Sequence, residues 1–349
     1  MTPTRQRIGY IDALRGLIML LVVMTHIHRH SFGGTAFSFN SLISAELMPV
    51  FFFISGLLLF FKKEDGVPKI KDLALFTGKK LLFLSLPAFI FMAVYGLVFQ
   101  VPFHDILWDA YKYGFWFTLV LAGFYLIFAV LRAFFETLCK ISKEKAAFVY
   151  LLAGLLVFLG TSFIRSPFNP WKNVALNNLF CLYHFQHFLY FTAGALAGCY
   201  YETFLRLLQK RFVLLGAMLV YISCITLRYF SSDLLLESLL NPVIALTFIT
   251  ILWQLFKTNE TALSTSKTGK ALTYIGKYTL DIYLLHTILL PFNLQMVGAF
   301  FDSNPSPVLE FALSFAVAIP VIVMCLLISK FIRVSDLSAK VIFGRVIHA

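Results

Sequence analysis

Arg7-Ile-Gly-Tyr-Ile-Asp12-Ala-Leu-Arg15-Gly-Leu-Ile-Met-Leu-Leu-Val-Val-Met-Thr-His26 is the stretch on which the fold class turns. Beyond Arg15 it is uncharged and almost wholly apolar, and with its flanks it approaches the roughly 20 residues that an α-helix needs to cross a bilayer. Working outward, similar blocks fall at about 10–30, 46–61, 81–100, 113–131, 146–163, 180–200, 212–228, 239–256, 272–291 and 308–330. They lack the two-residue alternation of a membrane barrel, and in lipid a backbone without that closure must be helical. The expected fold is therefore all-α, a polytopic transmembrane bundle of about ten spans.

Composition agrees. Of 349 residues, 60% are hydrophobic, 17% aromatic and only 13% charged, about half the charged share of a soluble domain. Loops of about 10 to 20 residues are too short to carry a domain with its own core, so residues 1–349 are expected to form a single membrane-embedded domain. The net charge of +12 would suggest nucleic acid in a soluble protein, but its distribution indicates membrane topology instead. With the N-terminus cytoplasmic, 24 of the 29 Lys and Arg fall on the cytoplasmic side. Only Arg29, Lys112, Arg165, Lys172 and Arg228 fall on the other. Cytoplasmic loops retain cations, which predicts both termini inside and the cytoplasmic membrane as location. Five scattered cysteines form neither a disulfide framework nor a metal pattern and read as packing residues. Asp12 and Arg15 interrupt the first block and no small-residue cleavage site follows, so a retained helix is expected rather than a signal peptide.

Charge inside a membrane helix is expensive and marks function by default. At about 100° per residue, Arg15 and His26 lie within about 20° of one another around the helix, and Asp12 within about 40° of His26. Along the axis Arg15 and His26 stand about 16 Å apart. One polar stripe thus runs from the cytoplasmic surface into the outer half of the membrane. The bland alternative is an interfacial Asp12–Arg15 pair with His26 marking the outer boundary.

Arg15-Gly16 preceded by Leu- and Asp-like residues, with His26 beyond, resembles the opening signature of the type 3 membrane acyltransferases. Met48-Pro-Val-Phe-Phe-Phe-Ile-Ser-Gly56-Leu resembles the second-helix motif of that family. The segment 76–87 resembles its basic first cytoplasmic loop, and Ile275-Gly-Lys-Tyr-Thr-Leu-Asp-Ile-Tyr283-Leu-Leu-His286 its late Gly, Tyr, His motif. The matches span residues 7 to about 290. Two positions depart from the family: Lys79-Lys80-Leu-Leu-Phe83 lacks a second cation at Phe83, and Leu47 stands where many members have His. No appended extracytoplasmic domain is expected.

The resemblance implies transfer of an acyl group, acetyl foremost and succinyl next, from acyl-CoA to a hydroxyl of an envelope glycan or other membrane-linked acceptor. On that reading His26 is the general base, because neutral imidazole is available near neutral pH. Arg15, with Lys79 and Lys80, binds the donor phosphates, and Asp12 orients Arg15. His286 assists catalysis or binds acceptor, or is an interfacial polar residue at a helix end. Trp116 and Tyr283 face the sugar, although aromatics also belong to membrane interfaces. The donor is a substrate, and no metal is expected: His184 and His187, one turn apart, lack an acidic partner. His28 and His30 read as interfacial loop residues. Lipid and the acceptor are the expected partners, nucleic acid is not, and oligomeric state is left open. The competing class is a secondary transporter using Asp12, Arg15 and His26 as a substrate or proton pathway, against which no paired broken helices or inverted repeat are evident. A scaffold in an envelope complex is a third reading, which the polar stripe disfavours.

Overall fold

The computed structural model describes residues 8–34, 38–60, 69–165, 174–231 and 234–344. Arg5, Arg7, Lys62, Lys63, Lys172 and Arg345, which enter the charge count, lie outside the described residues, as does the side chain of Arg165. Among the described residues all regular structure is helical, without a strand. Seven helices among the described residues are long and apolar enough to cross a membrane: Gly9–Ser31, Ile70–Phe99, Trp116–Leu138, Lys143–Ile164, Arg211–Phe230, Leu236–Thr258 and Pro307–Ile332. Their outward faces carry bare apolar side chains, among them Leu97 at 75%, Phe230 at 80% and Phe331 at 80% exposure. Such a surface is stable only where lipid covers it. The protein is a polytopic helical membrane protein.

Three of the ten expected blocks take other forms. The second is the helix Phe39–Leu57, whose apolar part is Leu42–Leu57. The sixth is a 3-10 turn, Leu182–His187, followed by a helix of only 12 residues, Phe188–Cys199; the left-handed backbone at Cys181, φ 54°, ends the preceding turn. The ninth is two helices, Lys267–Lys277 and Thr279–Leu289, meeting at Tyr278. There the Thr279 hydroxyl donates to the carbonyl of Gly276 at 2.9 Å, a local bond that competes with continuous helix. The expected basic loop at 76–87 is also helical, since Ile70–Phe99 runs for 30 residues, about 45 Å and longer than a bilayer's hydrocarbon core is thick.

The chain divides into two compact units, residues 1–51 with 202–327 and residues 52–201 with 328–349. In the first unit the helix Gly9–His26 packs along Lys267–Lys277, backbone against backbone. A Cβ on Gly16 would overlap the carbonyl of Leu272, and one on Gly276 the carbonyl of Asp12. Small residues permit this approach where lipid supplies no hydrophobic drive between helices. Arg228 also ties this unit together, donating to Glu46 at 3.1 Å, to Asn241 at 3.3 Å and to the carbonyl of Leu42 at 3.2 Å.

The second unit uses a similar glycine contact, since a Cβ on Gly56 would overlap the carbonyl of Phe191 and one on Gly194 that of Phe53. Around it lies an aromatic core in which Phe52 meets Phe117 and Phe124 at centroid distances of 4.8 and 4.9 Å. Two buried polar clusters hold its ends. Arg132 pairs with Glu136 through both Nε and Nη2, each at 3.0 Å, and Tyr150 donates to the same carboxylate at 2.7 Å. Lys112, 1% exposed, donates its Nζ to the carbonyls of Leu107, Asp109 and Asn178.

Candidate active site

The first helix does not stop at His26. It continues as a π-helical turn, Ile27–Ser31, a widening that recurs at functional sites, so His28 and His30 are helical rather than in the expected loop. His26 lies at this junction, half-buried. The glycine contact between Gly9–His26 and Lys267–Lys277 carries the following helix, Thr279–Leu289, alongside the same stripe and brings His286 to His26. Their rings meet edge to face, with centroids 4.8 Å apart and planes at 88°.

The hydrogen bonds fix the tautomers. Nδ1 of His26 lies 2.8 Å from the carbonyl of Val22. Nδ1 of His286, a fully buried residue, lies 2.8 Å from the carbonyl of Tyr283 and 3.1 Å from that of Ile282. A carbonyl only accepts, so Nδ1 carries a proton in each ring, and in the neutral imidazole Nε2 then presents a lone pair. Nε2 of His286 is buried with no hydrogen-bond partner among the described residues. Two imidazoles with basic nitrogens open, both anchored by backbone, form an arrangement suited to taking a proton from a hydroxyl.

The remaining expected residues of the first unit fall around this pair. Arg15 and Asp12 approach at 3.6 Å, one turn apart toward the N-terminal end of the same helix. Tyr283 is buried, its ring 6.1 Å from that of His286, and His30 stacks on His26 at 5.7 Å. The other expected residues belong to the second unit. Lys79 is exposed, while Lys80 places its Nζ over the rings of Tyr125, at 4.9 Å, and Phe76, at 5.6 Å. Trp116 stacks flat on His184 at 3.9 Å, and Nε2 of His184 donates to the carbonyl of Ala110 at 3.2 Å. The described residues contain no group of three or more His, Cys, Asp or Glu placed to hold a metal.

A further buried network was not anticipated. Glu310 receives the Ser38 hydroxyl at 2.9 Å and lies 2.6 Å from Nδ1 of His28, while Asn40 donates to Ser314 at 3.2 Å. His28 is thus a buried partner of Glu310 rather than an interfacial residue. A Glu in the first turn of an otherwise apolar helix, Pro307–Ile332, was the available signal.

A family profile described as an acyltransferase domain matches residues 8–328, nearly the whole chain. The chain belongs to the acyltransferase 3 family. Membership together with seven membrane-length apolar helices makes it a multi-pass membrane acyltransferase of that family, as the motifs around Arg15, Gly56 and His286 implied. No curated protein and no solved structure matches the chain.

Proposed function

We propose that this membrane acyltransferase moves an acyl group, acetyl foremost and succinyl next, from cytoplasmic acyl-CoA to a hydroxyl of an extracytoplasmic or membrane-linked glycan, with His26 as general base. The observation that carries the reading is the His26–His286 pair, whose Nδ1 protons are held by backbone carbonyls and whose Nε2 lone pairs stay open. In the reaction, Nε2 of His26 takes the proton of the acceptor hydroxyl as its oxygen attacks the thioester carbonyl. The carbon–sulfur bond breaks, an ester forms, and the coenzyme A thiolate leaves with the proton that His26 returns. Nε2 of His286 accepts from the hydroxyl or keeps the His26 ring edge-on. Arg15, oriented by Asp12, binds donor phosphate at the cytoplasmic end, and Tyr283 lines the acceptor side. Lys79, Lys80 and Trp116 keep their sequence-based assignments to donor and sugar. Both termini are cytoplasmic and the membrane is the cytoplasmic one.

The test is His26→Ala in proteoliposomes supplied with radiolabelled acetyl-CoA inside and glycan acceptor outside. Transfer should fall about 100- to 10,000-fold, the usual contribution of a general base, while calorimetry shows coenzyme A still bound. Transfer at near wild-type rate would remove His26 as base. A protein that moves unmodified solute with no acyl product would instead be a transporter.

A further inference from the structure

Acyl transfer needs more than a base. As the acceptor oxygen attacks the thioester, negative charge develops on the carbonyl oxygen, and hydrogen-bond donors held ready for it are usually the largest single contribution to such a reaction. His26 and His286, neutral and with their Nδ1 protons given to backbone carbonyls, have no proton left to offer there. Thr287 does. It is buried, 4% exposed, and its hydroxyl has no hydrogen-bond partner among the described residues. Buried threonines elsewhere in the chain return the hydroxyl to a carbonyl one turn back: Thr118 to Phe115, Thr161 to Val157, Thr192 to Phe188 and Thr279 to Gly276. The carbonyl four residues before Thr287 is that of Tyr283, which already accepts Nδ1 of His286 at 2.8 Å in addition to the helical N–H of Thr287. Both lone pairs of that oxygen are used, so the anchoring of His286 is what leaves the next hydroxyl open. Thr77 also has an unpartnered hydroxyl, but it stands on Ile70–Phe99, a helix without histidine.

We propose that the Thr287 hydroxyl is an oxyanion donor of acyl transfer, hydrogen-bonding the thioester carbonyl oxygen as it gains charge. The assignment rests on the acyl-transfer reading above and supplies the donor that its two imidazoles lack. Around Thr279–Leu289, at about 100° per residue, Tyr283 lies about 60° and Thr287 about 100° from His286, so the three share one face of the helix. Along the axis Thr287 stands only about 1.5 Å from His286, whose ring meets that of His26 at 4.8 Å. One side of the helix thus offers an open acceptor, Nε2 of His286, and an open donor on the next residue. In the step itself the acceptor oxygen bonds to the carbonyl carbon and its proton passes to Nε2 of His26. The π pair of the carbonyl moves onto oxygen, where the Thr287 hydroxyl donates to it and keeps its own proton. When that pair returns, the carbon–sulfur bond breaks, the ester remains, and the leaving sulfur takes the proton back from His26. A hydroxyl left unbonded in the resting protein has no hydrogen bond to break before it acts, which is the preorganisation such a donor needs.

The test compares Thr287→Val, which removes the hydroxyl at nearly constant volume, with Thr287→Ser, which keeps it. Full-length wild type and both variants would be reconstituted in proteoliposomes with radiolabelled acetyl-CoA inside and, outside, envelope glycan extracted from cells that lack the protein. Turnover per folded molecule, apparent KM for donor and extract, and melting temperature would be measured together. Thr287→Val should lose about 100- to 1,000-fold in kcat with each KM within about threefold, the pattern of an interaction made only in the transition state. Its melting temperature should equal or exceed that of wild type, since a buried hydroxyl without a partner stabilises nothing. Thr287→Ser should stay within about tenfold of wild-type kcat, because a serine hydroxyl is the same donor. A Thr287→Val enzyme with near wild-type kcat overturns the assignment and leaves the acyl-transfer reading standing, and so does one whose only change is a higher KM for the glycan. A Thr287→Val protein that melts lower, or a Thr287→Ser protein as inactive as Thr287→Val, makes Thr287 a packing residue and also overturns it. If wild type forms no acylated product, the assignment and the reading fall together.

Discussion

His286 in the first unit and Glu136 in the second are both buried polar side chains on membrane helices, yet their surroundings are opposite. Every oxygen of Glu136 is engaged, Oε1 by Arg132 Nε and the Tyr150 hydroxyl, Oε2 by Arg132 Nη2. His286 is anchored through Nδ1 and leaves Nε2 unpartnered among the described residues, against the ring of His26. Burying a polar atom without a partner costs about 1–3 kcal/mol, so a satisfied cluster stabilises the fold, while the open Nε2 of His286 beside His26 is available to a reacting group. The depth of burial is alike; the hydrogen-bond inventory separates structure from chemistry.

The largest expected effect lies on the open side. His26→Ala should remove about 100- to 10,000-fold of transfer, and His286→Ala about 10- to 100-fold. Groups that act together are non-additive, so the double variant should fall little below His26→Ala alone, measured as turnover per folded molecule. Independent, multiplying losses would separate the two imidazoles, and a His286→Ala protein that turns over normally but melts lower would make His286 a structural residue like Glu136.

On the closed side the loss should appear in stability. Glu136→Ala strands the Arg132 guanidinium, and removing one partner of a buried pair destabilises by about 3–5 kcal/mol. Denaturant unfolding in detergent should register that loss, while turnover per folded molecule stays within about twofold. A large drop in turnover at unchanged stability would erase the distinction between the two regions.

Much of this was legible in the sequence. Helical class and membrane location follow from apolar blocks of membrane length, and the one-sided placement of Asp12, Arg15 and His26 follows from helical periodicity, because a long helix such as Gly9–His26 keeps a fixed angle per residue. The approach of His286 to His26 was not readable from periodicity, since it depends on contact between segments 260 residues apart in sequence. Its signals, Gly16 and Gly276, appeared only as letters in motifs. The break at Tyr278 and the 3-10 turn at Leu182–His187 were missed because apolar runs look alike whether or not tertiary contacts interrupt them. His28 was misread for the same reason: its partner, Glu310, lies 282 residues away.

The glycine contacts sharpen the comparison at smaller magnitude. Gly16→Ala and Gly56→Ala each force a methyl into a backbone carbonyl of the facing helix, and overpacking of this kind costs about 1–3 kcal/mol. The melting loss should be similar in both. Only Gly16→Ala should also reduce turnover per folded molecule, because its contact sets the position of the helix bearing His286 relative to His26. Equal turnover losses in both variants would mean that the contact carries no special share of the site geometry.

The smallest expected effect belongs to His30. It stacks on His26 at 5.7 Å but is exposed, so its removal strands no buried group. A surface substitution of this sort shifts free energy by about 0.5 kcal/mol or less, which corresponds to roughly a twofold change in rate. His30→Ala should therefore transfer acyl groups within about twofold to threefold of wild type at every pH from 6 to 8. His28→Ala, two residues earlier, should lower stability instead by leaving the buried Glu310 carboxylate short of a partner. A His30→Ala variant as inactive as His26→Ala would move the proton path outward along the π-helical turn, and would show that openness to solvent, rather than an unpartnered buried nitrogen, marks the reacting imidazole.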